Sequence, residues 1–335
     1  MRPFGRKKKV IIGIHGIGNK PPRKLLEIWW KKAICEGLSR IGHPNRTYNF
    51  ELAYWAHYLH PRPLSPRVKR RDDPRFIENP YVPAPTTSSE SAEPGKLKLK
   101  SRELFEKVLD RVFLPERKIL KVDLISDFII RKKFHDLYVY FQDFKFGRSR
   151  ERPSPKDAIR QELGRLLLKH RRDDILLIAH SMGSIIAYDV LSQVVPEVKI
   201  HTFVTLGSPL GLPVVMKRFL QAQGLETRGK VQVPTPENIV HAWFNFSDLD
   251  DRVAINYNLS DDYRPNSRGV GPVDTIVHNN YQNNGTRNPH AVYGYLRAPE
   301  VAQVIHTFLA RRKVQPLAPL RRVLARLRRE AKKAS

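Results

Sequence analysis

At 335 residues the chain is long enough to bury a full hydrophobic core, and one α/β domain carrying an insertion accounts for its length. Sixty Lys and Arg against 33 Asp and Glu give a formal net charge of +27. Such a charge favours anionic partners, namely phospholipid surfaces, nucleic acid or acidic substrates, or else it marks the solvated surface of a basic protein. No helix-turn-helix, zinc finger or RNP-like aromatic motif accompanies it, so no nucleic-acid partner is expected. The single cysteine, Cys35, excludes an intrachain disulfide and fits a reducing compartment. It follows Trp29-Trp30 in a helix-like run, which reads as a buried structural thiol. No stretch of about 18 clean apolar residues exists, so no transmembrane helix is expected.

Arg6-Lys7-Lys8-Lys9 before an apolar run imitates a signal peptide, but the run ends at Ile14 without a cleavage site. Val10-Ile11-Ile12-Gly13-Ile14 is needed instead as a core strand, and it leads into His15-Gly16-Ile17-Gly18-Asn19. The glycine spacing there is not that of a dinucleotide-binding loop. A helix around Leu25–Leu38 and a strand around Tyr48–Tyr54 follow. His57 and His60 have i,i+3 spacing with no third ligand in view, so no metal is expected. Residues 61–100 are dominated by Pro, Arg and Ser and read as loop, with Pro80 to Pro94 almost free of periodicity. Leu104, Phe105, Val108, Leu109 and Val112 then mark an amphipathic helix after Ser101, and Pro115 breaks it. Leu120, Leu124, Ile125, Phe128 and Ile129 mark a second. The pair reads as an inserted helical cap, either a lid or a fixed subdomain, because amphipathicity signals a packed face and not motion. Leu137 to Phe141 is a short strand or a helix. Ser154-Pro155-Lys156-Asp157 resembles a capping box, with Asp for Glu and Pro at the first helical position, and opens a helix to about His170.

Ile175 to Ala179 reads as a buried parallel strand, and Ile185, Ile186, Val190 and Leu191 as a helix. Between them lies Ala179-His180-Ser181-Met182-Gly183. A serine on so sharp a strand-to-helix turn has its hydroxyl pushed out above the sheet, and small residues two before and two after it let strand and helix pass closely. This is a nucleophile elbow with Ala in place of the usual first Gly. The five-residue pattern alone arises by chance in roughly one chain of this length in four; the flanking strand and helix give it specificity. Thr202 to Leu206 is the next strand and ends in Gly207-Ser208-Pro209-Leu210-Gly211. Asn238 to Phe246 is another, followed by Ser247-Asp248-Leu249-Asp250-Asp251-Arg252-Val253. Val273 to His278 is the last, and the Asn- and Gly-rich loop 279–289 leads to His290 ahead of a C-terminal helix.

The remaining histidines have structural readings: His180 points away from the nucleophile's side, His278 is a structural or rim residue, and His306 packs mid-helix or lies at the surface. Asp248, Asp250, Asp251, Asp261 and Asp262 lack the spacing and glycine of a Ca²⁺ loop and read as a solvated acidic stretch. From Pro316, Leu317, Leu320, Leu324, Leu327 and Ala331 form a stripe among Arg321, Arg322, Arg326, Arg328, Arg329, Lys332 and Lys333. A basic amphipathic helix of this kind lies on an anionic membrane or packs on its own protein.

In His-Gly-Ile-Gly (15–18) and Ala-His-Ser-Met-Gly (179–183) the chain resembles the α/β-hydrolase superfamily, and within it small bacterial lipases, over roughly residues 10–310. The resemblance implies an α/β fold with a mostly parallel sheet, helices on both faces and an inserted helical cap. Residues 1–60 and 136–315 would form the core, 61–135 the cap and 316–335 a basic tail. It implies Ser181 as nucleophile, then an acid, then a histidine in chain order. Asp251, whose Asp-x-Val context is similar to the acid motif of many lipases, is the favoured acid; Asp248, the first carboxylate past the strand, is the alternative. His290 is the base, the Ile17 and Met182 amides hold the oxyanion, and Gly207-Ser208-Pro209 shapes the pocket rim. No cofactor is needed. The expected activity is esterase or lipase cleavage of a carboxylic ester, with lipid esters as substrates, in the cytoplasm or peripherally on the inner membrane surface. An acyltransferase or thioesterase on the same fold is the alternative. A non-catalytic lipid- or partner-binding scaffold is a third reading, and it has no need of all three triad residues. Oligomeric state is left open.

Overall fold

Strands with apolar residues at nearly every position can be covered only when both sheet faces are packed, and such strands pair in parallel. The computed structural model, which describes residues 7–44, 46–84, 135–141, 153–225, 231–254 and 258–311, follows this rule. Its strands are β1 (Lys9–Ile14), β2 (Asn49–Ala53), β3 (Asp174–His180), β4 (Ile200–Leu206), β5 (Val233–Pro234), β6 (Ile239–Ser247), β7 (Tyr263–Arg264), β8 (Pro272–Ile276), β9 (Gln282–Asn283) and β10 (Thr286–Arg287). Six form the central sheet in the order β2-β1-β3-β4-β6-β8, and all neighbours are parallel. β5 pairs with β7, and β9 with β10.

Helices cover both faces. They are α1 (Arg23–Arg40), α2 (135–141), α3 (Pro155–Lys169), α4 (Met182–Asp189), α5 (Pro213–Ala222), α6 (Val292–Leu296) and α7 (Pro299–Ala310). The period-2 alternation of strand side chains sorts the core into two layers. Ile12, Leu177 and Phe203 meet Leu163 of α3, Ile186 of α4 and Phe219 of α5. Ile11, Leu176 and Val204 meet Trp30 of α1, Leu296 of α6 and Ile305 of α7. Each large apolar side chain buried this way contributes about 1.5–3 kcal/mol. A six-stranded parallel sheet between two helical layers is the α/β-hydrolase arrangement. The chain steps from β1 outward to β2 and then returns to β3 on the other side of β1. The crevice beyond the carboxyl ends of β1 and β3 is therefore a topological switch point, where ligands bind in open α/β sheets.

Local signals and structure agree at Ser154, whose hydroxyl accepts the Asp157 amide at 3.1 Å with Pro155 at the first helical position. Residues 135–141 are helical, which resolves the open reading of Leu137–Phe141; Leu137 and Tyr140, one turn apart, are both buried. The loop 279–289 contains the β9–β10 hairpin, turned by Asn284 and Gly285 at φ 50° and 74°. Asn-Gly is the residue pair that tight hairpin turns require, so that signal was present and unread. Cys35 is half-buried rather than buried, 3.5 Å from the Tyr48 hydroxyl. The two cap helices expected at 104–112 and 120–129, and the basic tail 316–335, lie outside the described residues. Among the described residues no helix is long and apolar enough to cross a membrane.

Removing the α3 cap by Ser154→Ala should lower the free energy of unfolding by about 1 kcal/mol, measured by urea denaturation, with the slope unchanged. An unchanged midpoint would show that the cap is compensated by other contacts.

Candidate active site

Ser181 closes β3 and opens α4 with φ 53° and ψ −129°, a backbone region that residues with a side chain rarely enter. Its amide donates to the Leu206 carbonyl at 3.0 Å, and its carbonyl accepts the Ser184 hydroxyl at 2.6 Å. The turn also needs space. A Cβ on Gly183 would lie 2.7 Å from the Ile14 carbonyl oxygen, and one on Gly16 would lie 2.7 Å from the Ser181 Cβ. Glycine at both positions lets α4 and the end of β1 close on the serine from two sides.

His290, on the loop before α6, points its Nε2 at the Ser181 Oγ, 3.0 Å away. Its Nδ1 lies 2.9 Å from both carboxylate oxygens of Asp251. Asp251 is buried and accepts two further bonds, from the Tyr295 hydroxyl at 2.6 Å and the Val253 amide at 2.9 Å. Burial works to raise its pKa, but the His290 imidazole and these donors outweigh that and hold the carboxyl below its usual range. Asp248 has a different partner set. Its Oδ2 accepts Arg287 Nη2 at 2.5 Å and the Asn279 amide at 2.6 Å, and Arg287 Nη1 donates to Asp250 at 2.6 Å. The acidic stretch is thus not simply solvated: Asp248 and Asp251 are both buried, one on an arginine and one on a histidine. Tyr295 joins the two, since its oxygen also accepts the Asp248 amide at 3.0 Å.

Ahead of the serine, His15 is buried and orders the chain at 15–18. Its Nε2 accepts the amides of Trp55 and Ala56 at 3.2 and 3.3 Å, so the proton sits on Nδ1 and is donated to the Gly16 carbonyl at 2.9 Å. Burial keeps the ring neutral, well below the ordinary histidine pKa. The peptide is planar and trans, so fixing the Gly16 carbonyl on His15 turns the Ile17 N–H to the opposite side. Ile17 lines the same cleft as Ser181, and Met182 supplies the first helical amide of α4.

Two expectations need correction. His180 does not point away from the site: its Nε2 donates to the His290 carbonyl at 2.8 Å, and its ring lines the cleft. Burial, with the neighbouring His290, pushes its pKa down to about 3, so it acts as a neutral donor that fixes the His290 loop. The Gly207-Ser208-Pro209 turn is not at the rim. It sits behind Asp251 and His290, where a Cβ on Gly207 would be 2.6 Å from Asp251 Oδ2 and 3.1 Å from His290 Nδ1, and Ser208 bonds Ser184 of α4 at 2.7 Å. His57 and His60 do not converge: His57 stacks on Tyr54, and His60 bonds Asp136 at 2.9 Å. His278 lies just past the end of β8 beside Arg287, and His306 is half-buried and stacked on His43 with ring centroids 3.6 Å apart. Sequence reasoning missed the contacts made by Tyr295, His15 and Asp136; His15 lies inside a motif already singled out and Tyr295 follows His290 by five residues, whereas nothing in the local sequence marks Asp136.

A cleft of about 400 Å³ opens over Ser181 and His290. Its apolar wall comes from Leu26 and Trp30 of α1, Val292 of α6, and Leu64, Phe76 and Ile77 of the segment 61–84. No group of three His, Cys, Asp or Glu side chains suited to a metal ion occurs among the described residues.

In comparison with known protein families, residues 161–225 are similar to the lecithin:cholesterol acyltransferase family, an α/β-hydrolase-type lipase family. The matched stretch runs from α3 through the elbow to just beyond α5, about a fifth of the chain. It contains Ser181 but neither Asp251 nor His290. No curated protein and no solved structure matches the chain.

Gly207→Ala should destabilise the protein by about 2 kcal/mol more than Gly224→Ala, in matched urea titrations. Both positions have positive φ, at 52° and 68°, and carry the same backbone penalty. Only Gly207 also faces the Asp251 carboxylate; at Gly224 nothing lies within 4 Å. Equal losses would mean that Asp251 yields without cost.

Proposed function

We propose that the protein is a serine esterase that cleaves carboxylic esters carrying an apolar acyl group, with lipid esters as its substrate class. The observation that carries this reading is the continuous chain Ser181 Oγ, His290 Nε2, His290 Nδ1 and Asp251, with successive distances of 3.0 and 2.9 Å. In the proposed reaction His290 Nε2 takes the Ser181 proton as Oγ attacks the ester carbonyl carbon. The amides of Ile17 and Met182 receive the negative oxygen of the tetrahedral intermediate; each such donor is worth about 3 kcal/mol. His290 then gives its proton to the leaving alkoxide, and the acyl group stays on Ser181. A water, deprotonated by His290, attacks the acyl-enzyme, and the serine is restored. Asp251 keeps the proton of neutral His290 on Nδ1, leaving Nε2 free as the base, and stabilises the imidazolium that forms. Leu26, Trp30, Phe76 and Ile77 offer the acyl chain a wall. No step calls on a cofactor.

The likeness to lecithin:cholesterol acyltransferase favours a second acceptor for the same acyl-enzyme, an alcohol in place of water. Incubation with a radiolabelled diacyl phospholipid, with and without cholesterol, separates the two: free fatty acid marks hydrolysis, and a steryl ester marks transfer. For the basic stripe of residues 316–335 we propose peripheral contact with anionic membrane, each Lys or Arg near the surface adding about 1 kcal/mol.

A fluorophosphonate should label the wild type, and Ser181→Ala should abolish both labelling and ester hydrolysis; labelling that survives refutes the nucleophile. Asp251→Ala should cost at least about 10³-fold in kcat. Asp248→Ala should instead cost about 2 kcal/mol in stability, by removing the buried one of the two carboxylates that Arg287 meets and the acceptor of the Asn279 amide, with far less effect on kcat in the folded protein. The opposite pattern would transfer the acid role to Asp248.

A further inference from the structure

The loop that carries Ile17 is held by charged groups that the proposed reaction does not use. Lys20 Nζ donates to the carbonyl of Ile17 and, at 3.1 Å, to that of Gly18. The Gly18 amide donates to Asp136 Oδ2 at 2.7 Å. Asp136 is buried at the start of α2, and its other oxygen lies 2.9 Å from His60 Nε2. His60 and Asp136 are 76 residues apart in sequence, so the contact between them is made by the tertiary fold. Lys20 itself lines the cleft that holds Ser181.

Consecutive peptide planes are thereby fixed from opposite sides. The Gly16 carbonyl is on His15, the Ile17 carbonyl on Lys20, and the Gly18 amide on Asp136. A backbone so pinned cannot rotate its Ile17 N–H without breaking one of these bonds.

Building on the esterase reading, we propose that Lys20 and Asp136 are positioning residues for the oxyanion-binding loop: the ammonium clamps the Ile17 and Gly18 carbonyls, and the carboxylate clamps the Gly18 amide from an anchor on His60. The clamp also places a positive charge beside the site where the intermediate becomes negative. That charge is titratable. Burial lowers the Lys20 pKa to about 8, against the raising effect of Asp136. Around Lys20 stand His15 and His180 at the ends of β1 and β3, His60, the Tyr54 hydroxyl on the Lys20 carbonyl, and Glu78 across the cleft. His15 and His180 are held neutral by burial, so Asp136 is the carboxylate that sustains the ammonium. The clamp is complete below about pH 8 and weakens as the pH rises through that value. Activity should fall on the alkaline side for this reason.

Two variants separate its parts. Asp136→Asn keeps an acceptor for the Gly18 amide and removes the charge facing Lys20; Asp136→Ala removes both. The measurement is kcat and KM for p-nitrophenyl butyrate from pH 6 to 10, corrected for spontaneous hydrolysis, with thermal midpoints and fluorophosphonate labelling of each protein. Asp136→Ala should lower kcat about ten- to a hundredfold at pH 7 with KM within about twofold, since a loop carrying an oxyanion donor has moved. Asp136→Asn should lose much less at pH 7, and its alkaline decline should begin at lower pH than in the wild type. Wild-type turnover that both variants match in kcat and in pH profile overturns the clamp alone. Equal losses in both variants, with lowered midpoints and an unmoved alkaline limb, reduce Asp136 to a fold-stabilising residue and likewise overturn it. Absence of Ser181-dependent turnover and labelling in the wild type overturns the esterase reading, and the clamp with it.

Discussion

The site depends on one crossing of backbone. At Ser181 the chain turns from β3 into α4 through a conformation that an L-residue resists, at a cost of order 1–3 kcal/mol. The surroundings over-determine it. The Leu206 carbonyl holds the serine amide, Ser184 holds its carbonyl, and Ser208 ties Ser184 to the turn after β4. Because β1, β3 and β4 are adjacent and in register, the residues just past their ends arrive together. His15-Gly16, Ser181 and Gly207 are each the first residues beyond a strand. The sheet therefore supplies the positions from which the loops start.

Electrostatics around the crossing follow a single rule: each buried carboxylate has its own donors. Asp251 has His290, Tyr295 and Val253; Asp248 has Arg287 and Asn279; Asp136 has His60 and Gly18. An unpaired buried charge would cost several kcal/mol, so the arrangement is what makes three acidic groups tolerable near one cleft. It also divides labour. Asp248 shares its oxygens among a guanidinium and backbone amides and has none turned to the His290 ring, whereas Asp251 offers both of its oxygens to Nδ1. Tyr295 keeps the two systems in fixed relation, donating to one carboxylate and accepting from the backbone of the other.

The six strands of the central sheet and most helices were legible because periodicity reports burial, and burial is what the sheet imposes. Val10–Ile14 and Ile175–Ala179 read as strands for the same reason that they are covered on both faces. Ser181 and His290 were legible because short local signals, an elbow and an Asn/Gly-rich loop ahead of a helix, set their backbone. The preference for Asp251 over Asp248 rested on a two-residue context, and nothing local could tell which carboxylate would meet Arg287, 39 residues away from Asp248. His180 was misjudged because its contact is with a carbonyl 110 residues distant. Asp136 escaped notice for a similar reason: its role is made by Gly18 and His60, and only the tertiary fold brings them together. Alternation and caps act over a few residues, but hydrogen bonds between loop ends obey topology.

The elbow's departure from the usual pattern can be understood in the same terms. Ala179 occupies the position where glycine is common, two residues before the serine. It lies inside β3, paired with Ile14 and Thr205 and buried in the layer that α4 covers, so its methyl group is part of the core. The tight approaches fall elsewhere, at Gly183 against the Ile14 and His15 carbonyls and at Gly16 against Ser181 itself. A Cβ at either would meet main chain or the Ser181 Cβ at under 3 Å, and neither can give way without moving the turn. In this chain the need for glycine beside the serine falls not in the elbow strand but just past the end of its neighbour β1. The residue that makes room for Ser181 is therefore the one whose carbonyl His15 holds, and the space for the Ser181 side chain and the direction of the Ile17 amide are set at the same residue.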